Sequence, residues 1–377
     1  MRRHFPFHTN TFKLLQFGRA TLVALLFTLL ISSCKDDPTG QTSCLDDYDV
    51  TPLLTHYADD IIVPGYQGLL KSCTELQTSL EAFTSNPDEE GLDMLRGKFI
   101  SSYTAWQSVA MFEFGPAEEV FLRNSLNNFP LNQAQTVAKI NNADLDFSSP
   151  SEYTKGYPAL DYLLFGLDTS SLAIVDSFSQ SSKYSNYLAG VVNDMLNRVQ
   201  TILTDWESYG ADFKNRTGSA AGESLSLLVN GLNENYESIK RDKLGVPSGV
   251  LSLGFTNPKE VEAYYSGISV ALTKEALEAS KQVFSGGDGI GMDDVLNHLK
   301  TEKDGVPLTE LINDQFDLAI ESVNKISGAL SDAVDNDNAT VLEAYKAVAE
   351  QVILIKSDMP SVMCIAITYV DNPSDSD

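Results

Sequence analysis

Histidine and cysteine are scarce in this chain of 377 residues, which contains four of each. His4 and His8 precede an apolar run near the N-terminus, and the remainder holds only His56 and His298, which do not form a ligand-spaced pair. Zinc hydrolases usually take their metal ligands from histidine, so this scarcity argues against that class. The sequence also lacks a Gly-rich phosphate loop and a G-x-S-x-G motif, which argues against P-loop nucleotide binding and a serine hydrolase.

Basic residues are few as well, with 26 Lys and Arg against 52 Asp and Glu. Four of the basic residues and no acidic residue lie in residues 1–33, so the rest of the chain has a formal charge of −30. Such a surface repels nucleic acid and anionic lipid head groups. We therefore exclude nucleic acid as a partner and expect the acidity to serve mainly the solubility of an exported protein.

The apolar run Ala20 to Ile31 follows those four basic residues and is too short to span a bilayer as a stable helix. It is typical of a signal peptide, predicted over residues 1–33, and ends at Cys34 in a sequence that resembles a bacterial lipobox. An ordinary signal peptide with a chance cysteine is the alternative. The resemblance implies a diacylated and N-acylated Cys34, which would anchor the protein stably to the membrane.

Residues 34–49 are polar and predict a lipidated flexible tether. The first residues after Cys34, Lys35-Asp36-Asp37, resemble a short tag that sends some lipoproteins to the outer face of the outer membrane. We therefore expect an outer-membrane lipoprotein, on the cell surface or on the periplasmic face. Beyond Cys34, the three cysteines Cys44, Cys73 and Cys364 allow at most one disulfide, and Cys73 lies on an apolar helical stripe.

Apolar residues recur at helical spacing through most of the chain, for example from Leu69 to Phe83 and from Leu308 to Leu330, and no segment with clear period-two alternation stands among them. Asn86-Pro87-Asp88-Glu89, Ser149-Pro150-Ser151-Glu152 and Asn257-Pro258-Lys259-Glu260 each resemble a helix start with a cap, a proline and a returning glutamate. The sequence thus predicts an all-α fold of two bundles, over residues 50–180 and 181–370, followed by an acidic tail over 371–377.

The stretch from Lys155 to Gly166 is the most unusual, because an apolar helix pattern there contains the isolated carboxylate of Asp161. A buried carboxylate is costly unless it is paired, hydrogen-bonded or bound to a cation. Gly156 and Pro158 are predicted to shape the start of this helix, and Gly166 to cap its end. The simpler interpretation is that Asp161 braces a neighbouring helix.

The segment from Gly156 to Gly166 resembles the signature of the imelysin family, G-x-H-x-x-E followed by an apolar run that ends in glycine. Two positions differ, because Pro158 stands for the family's His and Asp161 for its Glu. The resemblance extends over most of the chain beyond Tyr48, through segments that include Ala105-Trp106-Gln107 and the sequence from Val261 to Ser266. It implies two helical bundles that resemble a duplicated four-helix unit.

The resemblance also implies an association with iron uptake and, in some members, a metal site or peptidase activity at the central motif. Asp161 is the main candidate ligand-binding residue, with Tyr157, Glu113 and Glu118 as further candidates. Gly115 and Pro116 are predicted to shape a turn, beside which exposed acidic residues are the simpler interpretation. Without the family's histidine, a site of oxygen ligands at Asp161 would favour Fe³⁺, Ca²⁺ or Mg²⁺.

Three functions follow in order of preference. The first is a lipid-anchored binding protein for iron, another metal or a nutrient, whose partners would be the membrane, outer-membrane uptake proteins or a small ligand. The second is a metallopeptidase, which needs a metal-activated water and a general base that this motif does not clearly supply. The third is a structural surface lipoprotein.

Overall fold

The computed structural model describes residues 44–45, 47–149 and 153–369, and its fold is all-α as predicted. The predicted signal peptide, Cys34 and the acidic tail lie outside the described residues. The only strands among the described residues are the two-residue pair Glu302–Lys303 and Val306–Pro307, which is antiparallel. The α-helices are Thr51–His56, Val63–Ser85, Glu89–Gln107, Pro116–Glu119, Leu122–Leu126, Gln133–Asn141, Gly156–Asp161, Ser171–Gln180, Ser182–Asn215, Ser224–Ser238, Ser269–Ser285, Met292–Leu299, Leu308–Asn324, Leu330–Asn336, Asn338–Val352 and Met359–Met363.

Four π-helical segments join or extend these helices, and a 3₁₀ turn, Pro258–Glu260, stands apart from them. Each π segment widens one turn and so changes which side chains face a neighbouring element. Two of the four lie next to the candidate functional site. One directly follows Asp161, and another contains Lys243. The π-helical segments are Tyr57–Ile62, Tyr162–Gly166, Ile239–Gly245 and Ile353–Asp358.

The first bundle is built around three helices, Val63–Ser85, Glu89–Gln107 and Ser182–Asn215. The apolar stripe predicted on the first of them, from Leu69 to Phe83, is buried at every fourth or third residue. The long helix Ser182–Asn215 packs on elements of the first half, so its contacts group it with the first bundle. The boundary predicted between residues 180 and 181 falls at the start of this helix.

The second bundle is built from helices Ser224–Ser238, Ser269–Ser285, Leu308–Asn324 and Asn338–Val352, which pack on one another. Helix Ser269–Ser285 also packs on helix Glu89–Gln107, which joins the two bundles. The apolar register predicted from Leu308 to Leu330 lies in the core, except that Leu311 and Ile320 are only partly buried. The resulting fold confirms the two packed helical bundles expected from the sequence.

Of the three predicted helix starts, the one at Ser149 continues into residues 150–152, which lie outside the described residues, and the other two differ in detail. Asp88, rather than Asn86, caps helix Glu89–Gln107, and its carboxylate accepts a hydrogen bond from the Gly91 N–H at 2.7 Å. The sequence after Asn257 forms only the 3₁₀ turn Pro258–Glu260, and the next helix starts at Ser269. Capping residues favour a helix start, but the following backbone at Val261 is extended and ends the turn.

A disulfide joins Cys44 to Cys364, with their Cα atoms 5.6 Å apart, and Cys73 is a buried free thiol. The bond ties the start of the described chain to the end of its last helix, 320 positions away in sequence. Closing so long a loop stabilises the fold mainly by restricting the unfolded chain. Among the described residues, no helix combines the length and apolar character needed to cross a membrane.

Candidate functional site

The central stretch forms helix Gly156–Asp161 and continues as the π segment Tyr162–Gly166. Gly156 has a φ of +66°, and a Cβ atom there would lie 2.1 Å from the Leu126 carbonyl oxygen. Its predicted role at the helix start is therefore explained, since only glycine fits. Gly166 does not cap the end, because the next residue is still helical. It instead leaves room for the Tyr265 ring, which a Cβ atom would approach to 2.2 Å.

Asp161 is buried, and both of its carboxylate oxygens accept backbone hydrogen bonds from another segment. The Tyr265 N–H donates to Oδ2 at 2.8 Å, and the Ser266 N–H donates to Oδ1 at 2.9 Å. Burial raises the pKa of Asp161 to about 6, although these hydrogen bonds oppose the rise. Asp161 thus fixes a loop of the second bundle onto the central motif of the first.

Tyr157, the second candidate residue, lies in the core of the first bundle. Its hydroxyl donates to the Ser102 carbonyl oxygen at 2.9 Å and lies 2.8 Å from the Ser102 Oγ. Its ring stacks on Tyr103, with centroids 4.3 Å apart. Burial raises the pKa of Tyr157 well above its usual value. The helix therefore directs Tyr157 and Asp161 toward different partners.

Glu113 and Glu118 lie elsewhere, and neither lines the two cavities described below. Both carboxylate oxygens of Glu113 accept from the Arg123 backbone N–H, at 3.1 and 3.0 Å. Burial raises the pKa of Glu113 to about 7. Glu118 is exposed on the short helix Pro116–Glu119, which begins at Gly115 and Pro116. Glu113 is thus not the exposed acidic residue expected beside that turn.

A cluster of four polar side chains crosses from one bundle to the other, and we call it the cross-bundle cluster. The Lys243 ammonium is in an ion pair with the fully buried carboxylate of Glu262. Lys243 also donates to the Gln107 Oε1 at 3.0 Å, and the Asn127 Nδ2 donates to the Glu262 Oε1 at 2.8 Å. Tyr103 donates in turn to the Asn127 Oδ1 at 2.5 Å. The side-chain amides of Gln107 and Asn127 in the first bundle therefore form hydrogen bonds with the buried ion pair of the second bundle.

The electrostatics of this cluster follow from its burial. Burial lowers the pKa of Lys243, and the carboxylate of Glu262 opposes that change. Burial and the nearby carboxylate of Glu262 raise the pKa of Tyr103 well above its usual value, which keeps that hydroxyl protonated as a donor. A buried ion pair is stable only when such further hydrogen bonds satisfy its remaining donors and acceptors.

Two cavities lie beside the cross-bundle cluster. The first, here called the amide cleft, has a volume of about 340 Å³ and is lined by Gln107, Asn127 and Lys243 of the cluster. Its further lining includes Trp106, Arg123, Asn124, Asn128, Phe129, Tyr153, Glu234, Asn235, Glu237, Arg241 and Asp242.

The second cavity, here called the motif pocket, has a volume of about 360 Å³ and is lined by Pro158 and Asp161 of the central motif. Val261 and Ala263, the two neighbours of Glu262, also line it. The cluster therefore separates two spaces that both adjoin the contact between the bundles. Both volumes suit small molecules.

The sequence did not predict the cross-bundle cluster. Lys243 forms its ion pair with Glu262 of its own bundle, and spacing along the chain does not indicate this partner. Arg241 pairs with its neighbour Asp242. The only available signal was that Gln107 and Glu262 both fall in segments that resemble the imelysin family.

The residues near the motif do not fit a bound metal ion. Among the described residues, no group of three or more His, Cys, Asp or Glu side chains lies close enough to hold one. Asp161 uses both oxygens for backbone N–H groups, and His56 contacts Asp60 and the Gly286 carbonyl oxygen. We therefore derive no chemical step through a metal at Asp161.

Comparison with protein families gives a match to the family model described as imelysin, which carries a peptidase label, over residues 62–355. The chain belongs to the imelysin family. The match covers both bundles, including Asp161 and the cross-bundle cluster. It confirms the resemblance that the central motif indicates, although Pro158 and Asp161 differ from the motif's usual residues.

Relatives and solved structures of similar fold agree with this assignment. The iron-regulated protein A of Synechococcus elongatus is 20% identical over 342 residues, which cover 85% of this chain and 86% of that protein. A crystal structure described as an iron-regulated protein A precursor from Parabacteroides distasonis matches with a TM-score of 0.68 and 18% identity, over 83% of this chain and 95% of that one. An imelysin-like protein from Psychrobacter arcticum matches with a TM-score of 0.66 and 18% identity, over 85% and 96%.

Removing one partner of the buried ion pair should destabilise the fold strongly. In Glu262→Gln, the Lys243 ammonium keeps its buried position but loses its counter-charge. We expect the free energy of unfolding to fall by about 3 to 5 kcal/mol. Urea unfolding followed by circular dichroism measures this loss.

The exposed pair of Glu321 and Lys325 provides a matched control, because it is also a Glu–Lys ion pair but is open to solvent. Glu321→Gln should change the free energy of unfolding by less than about 1 kcal/mol. Equal losses in Glu262→Gln and Glu321→Gln would contradict a structural role for the cross-bundle cluster.

Replacing Asp161 with alanine should release the loop that carries Tyr265 and Ser266. Both backbone N–H groups lose their acceptor, and an unsatisfied buried donor costs about 1 to 3 kcal/mol. We expect Asp161→Ala to be destabilised by at least this amount and to exchange the Ser266 amide hydrogen faster. The exposed Asp176→Ala is the control. Unchanged stability and exchange would show that Asp161 does not anchor the loop.

The ionisation of Asp161 should also be visible in the pH dependence of stability. Its folded-state pKa of about 6 lies above its ordinary value of 3.8. The stability that it contributes to the folded state is therefore fully present below about pH 4 and is lost as the pH rises through 6. Asp161→Asn does not titrate and should lack this decrease. Unfolding of both proteins between pH 4 and 7 measures the difference. Parallel profiles would mean that burial does not raise this pKa.

Proposed function

We propose that this chain is a lipid-anchored, non-catalytic binding protein of the outer membrane that takes part in iron acquisition. Its ligand would bind between the two bundles, in the amide cleft. Cys34 would carry the lipid and residues 34–49 would form the tether to the folded part. Outer-membrane uptake proteins are the proposed partners, and the protein would present its ligand to them.

The observation that carries this proposal is the polar lining of the amide cleft between the bundles. Amide, guanidinium and carboxylate side chains from both bundles meet there around a volume that suits a small ligand. The cross-bundle cluster holds the two walls together without occupying the cleft. A site with many polar groups of fixed geometry is suited to selective binding.

The connection to iron comes from relatives. The protein from Synechococcus elongatus is named an iron-regulated protein, and so is the precursor from Parabacteroides distasonis. These names state regulation by iron and specify no ligand. A binding role in iron acquisition would connect such regulation with a polar cleft.

A metallopeptidase is the alternative, in keeping with the label of the family model. It is less favoured because Asp161 already accepts two backbone hydrogen bonds, and because Pro158 provides no metal ligand or general base at the central motif. A structural surface lipoprotein is the remaining alternative. Such a protein would not need a polar cleft.

Growth of a strain that lacks the gene tests the proposal. We expect normal growth in iron-rich medium and slow growth when a chelator limits iron, with recovery on expression of the wild-type chain. Expression of Cys34→Ala should give little recovery, because the protein would lose its anchor. The purified chain should release no peptides from casein, with or without added Zn²⁺ or Ca²⁺.

Two outcomes would contradict the proposal. Equal growth of the two strains under iron limitation would remove the role in iron acquisition. Casein cleavage that requires an added metal, and that Asp161→Ala abolishes while the protein stays folded, would favour the metallopeptidase.

A further inference from the structure

Two residues that line the amide cleft each contain a buried donor without an acceptor. The Nδ2 atom of Asn235 has no hydrogen-bond partner, although the residue is only 5% exposed. The Nε atom of Arg123 is likewise buried without a partner. Leaving a buried donor unpaired costs about 1 to 3 kcal/mol, so each atom favours a ligand that supplies the missing partner. Both residues line the cleft, from opposite bundles.

The chemistry of these two atoms limits what the partner is. An amide nitrogen and a guanidinium nitrogen only donate, so the missing groups are oxygen acceptors and not cations. The Arg123 Nη2 donates to the Ala110 carbonyl oxygen at 2.8 Å. Among the described residues no carboxylate forms an ion pair with the Arg123 guanidinium, although its charge opposes the rise that burial causes in the pKa of the nearby Glu113. A guanidinium in that position prefers a carboxylate ligand.

The other charges of the cleft are largely balanced within the protein. Arg241 pairs with Asp242, Lys243 with Glu262, and Glu237 with Lys240 and Lys356. Among the described residues, Arg123 is therefore the one guanidinium or ammonium group lining the cleft that is in no ion pair, and a ligand carboxylate would meet it there. This favours binding of a ligand carboxylate at the wall that contains Arg123.

Glu234 also lines the cleft and sets a second requirement. Its carboxylate would repel a ligand that carries only carboxylates, but it would accept a hydrogen bond from a hydroxyl group. A molecule with both carboxylate and hydroxyl groups can meet both requirements. Its carboxylate oxygens would accept from Arg123 and Asn235, and its hydroxyl would donate to Glu234. Small hydroxycarboxylates have this composition, and their oxygen atoms are also good ligands for ferric iron.

We propose that the amide cleft binds a small hydroxycarboxylate of the citrate class, either free or as its ferric chelate. The inference builds on the proposed role in iron acquisition and identifies the ligand of the same cleft. Iron would enter as a chelate whose outer oxygen atoms the protein recognises. This agrees with the lack of a metal-holding group of His, Cys, Asp and Glu among the described residues.

Isothermal titration of the purified wild-type chain tests the proposal. The probes are citrate, ferric citrate, tricarballylate, which is citrate without its hydroxyl, and Fe²⁺ under anaerobic conditions. We expect citrate or ferric citrate to bind at one site per chain and tricarballylate to bind about tenfold more weakly, as expected for one lost hydrogen bond. Tighter binding of ferric citrate than of citrate would identify the chelate as the ligand, and tighter binding of citrate would identify the free acid.

Two variants localise the site. Asn235→Leu and Arg123→Gln should each weaken binding about tenfold or more, because each removes a donor to the ligand. Asn193→Leu and Arg216→Gln are the matched controls, since both residues are outside the cleft lining, and they should bind as the wild type does. Circular dichroism confirms that each variant is folded, and Arg123→Gln alone still tests the site if Asn235→Leu does not fold.

Several outcomes would overturn the proposal. These are no binding of citrate or ferric citrate, binding of Fe²⁺ alone, equal binding of citrate and tricarballylate, or unchanged affinity in both cleft variants. A failure here together with iron-dependent growth of the deletion strain would reject only the ligand class. Failure of the growth test would reject the proposed function itself.

Discussion

The buried ion pair of Lys243 and Glu262 is the interaction on which the contact between the bundles depends. Glu262 has no exposed surface, and the cost of burying its charge is recovered only if every remaining lone pair and N–H group is satisfied. The second bundle cannot do this alone, because Gln107 and Asn127 of the first bundle supply the additional hydrogen bonds. The ion pair therefore requires the two bundles to meet in one arrangement, and that arrangement defines the cavities on both sides of the cluster.

The central motif acts on this ion pair through a short path. Asp161 binds the N–H groups of Tyr265 and Ser266, which follow Glu262 by three and four residues. Fixing this loop restricts where the Glu262 side chain can lie, and Gly166 permits the close approach of Tyr265 that the arrangement needs. The motif that looks most like a ligand site in the sequence thus has a structural use here. In the proposed function, it would hold the walls of the cleft.

Helical periodicity predicted the fold well, because an apolar stripe such as Leu69 to Phe83 indicates both that the segment is helical and which face of the helix is buried. The site was predicted only in part. Asp161 was correctly identified as a buried carboxylate that needs partners, but its partners are backbone N–H groups, which have no signature in sequence. The pairing of Lys243 with Glu262 depends on a π-helical segment and an extended loop that together bring distant positions into contact. Such pairs are set by tertiary packing, which spacing along the chain does not specify.

The distinction between donors and acceptors separates two ways in which a protein can serve iron acquisition. A protein that binds the bare ion must present several oxygen, nitrogen or sulfur ligands at one point, whereas Asp161 has both oxygens occupied by N–H groups. A protein that binds a chelate must instead present donors to the oxygen atoms of the chelator. Asn235 and Arg123 offer such donors, buried and without partners. The loss of the motif's histidine at Pro158 and the polarity of the amide cleft are therefore consistent with one another, because recognition of a chelate needs no metal ligand from the protein.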